Sequence, residues 1–137
     1  MTEAPNHHAA LVYVMVTMSA VDRTMTDAEL ARIGEIVSHL PIFADFDQEQ
    51  LVKTAAACGE ILGGDGGLQR VLAIVRSTLP KKLRETAYAI GLEIAAADME
   101  VRPEEVRFLE LLGEALDLDK MTTAAIERGI KARNTVL

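Results

Sequence analysis

The sequence predicts an all-α fold, a single-domain bundle of about seven helices with an internal pseudo-two-fold repeat. Half of its 137 residues are hydrophobic, yet only 4% are aromatic. Ala, Leu, Ile, Val and Met dominate the apolar set, a composition that favours helices over sheets. No stretch alternates convincingly with period two, whereas apolar residues recur at helical spacing between recognisable start and stop signals. A chain of this length forms one domain and buries a genuine core without staples.

The first helix is expected from about His8 to Val21, after a flexible N-terminus over residues 1–7. Its run Ala9–Val21 is apolar on nearly every side, which marks a central helix of the core. A second helix, Asp27 to about His39, opens with the capping-box pattern Thr26-Asp27-Ala28-Glu29, in which Glu29 reaches back to the amide of the cap. Its buried stripe is Leu30, Ile33, Val37 and Leu40, and Pro41 stops it. Asp47 caps a third helix through Leu51, Ala55, Cys58 and Leu62, which ends at the GGDGG of residues 63–67 with Gly63 as C-cap. A fourth, Leu68–Leu79, is closed by Pro80, whose predecessor is biased out of the helical region. The fifth starts at Pro80 and runs to Ala97, again apolar almost all round. Pro103 opens a sixth, with Phe108, Leu109, Leu112 and Leu116 on its core face, and Asp119 caps a seventh that frays before Leu137.

A shift of 76 residues lays the chain on itself. It pairs Val14 with Ile90, Met18 with Ile94, Asp22 with Asp98, Met25 with Val101, Glu29 with Glu105, Ile33 with Leu109 and Leu40 with Leu116. Apolar matches apolar and acid matches acid. Two copies of one helical hairpin, in halves of about 8–79 and 80–137, suggest a pseudo-two-fold axis; a solenoid needs three or more repeats.

The hairpin pattern resembles the signature of the tellurite-resistance TerB family. In that signature an apolar helix ends in small residues and Asp, usually followed by Gly, and a Glu stands seven positions after the Asp. The resemblance spans nearly the whole chain and is strongest at Tyr88–Leu118. It implies a seven-helix fold and places the acidic signature on Asp22 and Glu29 in one copy and Asp98 and Glu105 in the other. Met25 and Val101 are the hydrophobic anchors. Arg23 and Met99 stand where the family carries the glycines.

Two readings of these acids follow from physics. Asp22 and Asp98 are expected at helix C-terminal ends, where the macrodipole disfavours an anion by roughly 0.3–1 kcal/mol. In one reading each Asp offsets this by accepting backbone N–H bonds while its paired Glu completes the next helix cap. In the other, Asp22, Glu29, Asp98, Glu100, Glu104 and Glu105 gather around a hard divalent cation, Ca²⁺ or Mg²⁺, with the second loop the better candidate. The second loop is not an EF-hand: counting from Asp98, the sixth position is Pro103 and the twelfth Leu109, and a count from Asp45 fails as well, with Gln50 sixth and Ala56 twelfth.

Other chemistry is sparse. His7 and His8 near the terminus and His39 at a helix end lack metal-ligand spacing, so solvated or capping roles are expected. Cys58 lies in an apolar stripe and reads as a small buried hydrophobe. GGDGG follows a helix, not a strand, which argues against a phosphate loop. Lys81, Lys82 and Arg84 form a solvated first turn.

The formal charge of −7 disfavours nucleic acid and anionic membranes as main partners. The single cysteine excludes an internal disulfide and suits a reducing cytoplasm. Residues 1–8 carry no basic n-region, and the apolar run behind them is shorter than the roughly 18–20 residues of a membrane span. The expectation is therefore a cytoplasmic, non-enzymatic stress-response protein of tellurite-resistance type that binds ions or partners. The alternative is a helical interaction module whose acids are structural caps, as where TerB-like domains accompany a J-domain in co-chaperones. The chain has no His-Pro-Asp tripeptide, so a separate protein partner, or a second copy of the chain, is the expected ligand class.

Overall fold

The computed structural model describes residues 5–21, 25–96 and 101–137. Among them are seven α-helices and no strand. The helices are α1 (His7–Ala20), α2 (Asp27–His39), α3 (Leu51–Leu62), α4 (Gly67–Thr78), α5 (Arg84–Ala96), α6 (Pro103–Ala115) and α7 (Lys120–Arg133). Short 3₁₀ turns at Pro41–Phe43, Gln48–Gln50 and Lys81–Leu83 join them.

The two helices that read as apolar all round are the two at the centre. In α1 every residue from Ala10 to Ser19 is buried, and α5 buries Ala87, Tyr88 and the stretch Ile90–Leu92. They pack on each other, with α3 and α4 covering α1 and α7 covering α5. They are in close contact at Gly91, where an added Cβ would lie 3.0 Å from Val14 Cγ1. Val14 corresponds to Ile90 under the 76-residue shift, so the helices meet at matching points along their lengths, as a two-fold crossing requires. The expected core residues Val14, Met18, Ile33, Val37, Ile90, Ile94, Leu109 and Leu112 are all buried.

The shift also maps α2 (27–39) onto the bounds of α6 (103–115) residue for residue. It fails beyond the hairpin. Moved by 76, α3 would begin at 127, whereas α7 begins at Lys120. The cause is the longer connection after α2, which includes two 3₁₀ turns where the second half has only Leu116–Asp119.

Two local expectations are corrected. Pro80 is extended and caps a 3₁₀ turn, so α5 starts at Arg84. Gly63 is the C-cap of α3 as expected, in the right-handed region, and the left-handed glycine is Gly66, at φ 63° before α4. The second correction is His8, which is neither solvated nor a cap. It is 6% exposed, its ring stacks on Phe43 at 5.5 Å and meets Phe46 at 5.2 Å, and its Nε2 lies 2.8 Å from the Ile42 carbonyl and 3.3 Å from Asp45. A carbonyl can only accept, so Nε2 carries the hydrogen.

Arg84 stands where His8 stands in the first half, since 84 − 8 is the same shift of 76, and it plays the same part. Its Nη1 donates to the Leu116 carbonyl at 3.2 Å and lies 3.8 Å from Asp117. Asp117, at φ 55°, ends α6 in a Schellman turn in which the Leu118 N–H reaches the Gly113 carbonyl. Arg76 joins from α4, 2.9 Å from the Asp117 carboxylate and donating to the Ala115 carbonyl. The expected solvated basic turn is thus partly structural: cations hold the C-terminal end of α6, where the helix dipole favours them.

Candidate functional site at the hairpin ends

Of the six acids singled out by sequence, Asp22, Asp98 and Glu100 lie outside the described residues. The other three are at the starts of α2 and α6. Glu29 and Glu105 are each the third residue of their helix, and each is 7% exposed. Glu29 Oε1 accepts the Thr26 N–H at 2.9 Å and the Thr26 hydroxyl at 3.0 Å, and Thr26 Oγ1 accepts the Glu29 N–H at 3.2 Å. Glu105 Oε1 accepts the Arg102 N–H at the same 2.9 Å. A guanidinium has no acceptor, so the second cap is one-sided, and the Glu105 N–H turns to the Arg102 carbonyl at 3.0 Å. Both glutamates therefore satisfy a backbone donor at the cap that burial would otherwise leave costly.

Glu104 differs. It is exposed at the second position of α6 and lines a shallow cavity with Val21, Leu68, Pro103, Arg107 and Phe108. That cavity brings Val21, the residue following α1, against the start of α6. Among the described residues no group of three or more His, Cys, Asp or Glu side chains is placed to hold a metal ion.

Sequence reading missed a feature beside the first loop. An apolar groove of about 670 Å³ runs between the C-terminal end of α1, the start of α2 and the outer face of α3. Val16, Val21, Met25 and Leu30 form one wall. Val52, Ala56, Gly59 and Gly63 supply the other, on a flank of α3 that adjoins its core-facing stripe at Ala55 and Leu62. The signal was present in the sequence: α3 carries small or apolar residues at 52, 56, 59 and 63 as well as in its core stripe, a wider apolar arc than one buried face requires.

Cys58 is fully buried, with Sγ 3.7 Å from the Tyr13 carbonyl and 3.6 Å from Thr17 Oγ1. Burial pushes its thiol up to about 11. Such a thiol stays protonated at neutral pH and packs as a hydrophobe.

No curated protein and no solved structure matches the chain. A sequence model of the family described as tellurite resistance protein TerB matches residues 8–128, nearly the full length. With its all-helical fold and paired hairpins, the chain belongs to the TerB family.

Proposed function

We propose that this TerB-family chain is a non-enzymatic stress-response protein of the tellurite-resistance type that acts by binding a protein partner, with Glu29 and Glu105 serving as helix caps. The observation that carries the capping role is the committed state of both carboxylates: each Oε1 already accepts a cap N–H at 2.9 Å. The family supports the link to stress. The buried, protonated Cys58 supports a binding role over nucleophilic chemistry, and its single thiol suits a reducing cytoplasm. No helix among the described residues is long and apolar enough to cross a membrane.

Loss of the encoding gene is expected to sensitise cells to tellurite, and re-expression of the wild type to restore growth. Failure of the wild type to restore growth in a sensitised strain overturns the stress-response reading. A second reading, with Ca²⁺ or Mg²⁺ held by these glutamates together with Asp22, Asp98, Glu100 and Glu104, draws on the like placement of two buried carboxylates, each third in its helix. It requires stability to rise with free ion, by roughly 2.7 kcal/mol at one hundred times the dissociation constant. The capping reading expects thermal melts with chelator and with either ion to coincide. A rise abolished by Asp98→Asn favours the cation.

A further inference from the structure

We propose that the groove between α1, α2 and α3 receives a basic amphipathic helix from the partner protein. The inference rests on the partner-binding reading above and names its surface and chemistry. The groove is lined by apolar and small residues throughout, and Val52 on its wall is 63% exposed. From Val52 to Gly63, α3 extends about 17 Å at 1.5 Å per residue, room for roughly three turns of a second helix. Gly59 offers bare backbone there, since an added Cβ would meet nothing within 4 Å. A helix carrying apolar anchors at i, i+3 or i+4, and i+7 suits such a trough.

Charge selects the partner. Asp27, Glu49 and Glu60 are exposed within one helical turn of lining residues, against the exposed Lys53 and, at the Gly63 end, the exposed Arg70, whose Nη1 lies 3.3 Å from where a Cβ on Gly64 would stand. None of the three acids is in an ion pair among the described residues. Their uncompensated charge, on a chain of net −7, favours Lys and Arg beside the apolar anchors and raises the association rate of a basic segment.

The same Gly59 makes the test clean: an added Cβ meets nothing within 4 Å, so Gly59→Leu is expected to fill the groove and to leave the melting temperature unchanged or higher. The probe is a labelled synthetic helix with a leucine stripe and lysine flanks, paired with a glutamate-flanked version of the same stripe. Wild type is expected to bind the basic peptide, less tightly as salt rises. Gly59→Leu should weaken it by about tenfold or more, and Glu60→Lys by a smaller factor. Equal binding by wild type and Gly59→Leu, or equal binding of the two peptides, overturns the proposal. In cells, a photo-crosslinking residue at position 59 should label a basic amphipathic segment of another protein, whereas labelling of a second copy of this chain, of a lipid, or of nothing overturns the groove as that site. A control crosslinker at position 128, exposed on α7, separates the two levels. Labelling from 128 but not 59 removes the groove and leaves the partner-binding reading standing; no labelling from either position removes both.

Discussion

Glu29 and Glu105 do at the starts of α2 and α6 what water does at an exposed helix end, accepting an N–H that the helix cannot use itself. Because a glutamine retains Oε1, Glu29→Gln should cost under about 1 kcal/mol, whereas Glu29→Ala should cost about 1–2 kcal/mol, both measured by urea unfolding. A glutamine as damaging as the alanine would mean that the negative charge, not the acceptor, is what the site needs. Cys58 gives a prediction of opposite chemistry. Its thiol is raised by burial from 9.0 to about 11, so above pH 9 the unfolded chain loses a proton that the folded chain keeps. Stability contributed by the protonated thiol is complete below the unfolded value and falls as pH climbs from about 9 to about 11. Tyr88, raised by burial and by its hydrogen bond to Glu127, adds a decline of the same sign. Cys58→Ala should therefore flatten part of the alkaline loss of stability while lowering stability at neutral pH through the cavity it leaves. An unchanged alkaline slope in the variant would show that the thiol does not titrate differently on folding.

At the scale of the helix, one substitution made at two glycines should have opposite signs. In α3, Gly59 faces open space, so Gly59→Ala should stabilise the protein by up to about 1 kcal/mol through helix propensity. In α5, Gly91 lies against Val14 at the central crossing, so Gly91→Ala should destabilise by about 1–3 kcal/mol through overpacking. Thermal melts of both variants check the pair, and a stabilised Gly91→Ala would mean that the crossing relaxes freely. The sequence distinguishes these glycines poorly, because each is a helix-breaking residue within an apolar stretch. It was far more legible where chemistry is local. Thr26 with Glu29, and Pro103 with Glu105, set the N-terminal bounds of α2 and α6, and the apolar periods of α1 and α5 marked both central helices. What it hid depends on contacts between distant residues. His8 looks like a terminal polar residue until Phe43 and Ile42 close over it from 34 residues away or more, and the groove exists only because α2 leaves one flank of α3 uncovered. The acidic site was half legible: the sequence located Glu29 and Glu105, but their burial and one-sided or reciprocal caps follow from how each loop enters its helix.

The molecule as a whole is two related hairpins whose first helices bury one another. That arrangement makes a specific demand on folding. Cut between Leu79 and Pro80, the chain yields one piece with α1 to α4 and another with α5 to α7. Each keeps its own cap, its hairpin and the outer packing of its central helix, α3 and α4 on α1 and α7 on α5. Each also loses the face that α1 and α5 present to each other, with Val14 and Gly91 at its centre. Pieces of this size bury too small a share of their surface to offset chain entropy once that face is lost. Residues 5–79 and 80–137 alone are therefore expected to show weak helical circular dichroism and no cooperative melt. Mixed in equal amounts, they should recover the far-ultraviolet spectrum of the intact chain and melt cooperatively at a temperature that rises with concentration, as association requires. Gly91→Ala in the second fragment should weaken that recovery more than Gly59→Ala in the first, since only the former sits on the shared face. A cooperative melt from either fragment alone would show that the hairpin-plus-helix unit is self-sufficient, and that the α1–α5 crossing joins two finished domains instead of completing one.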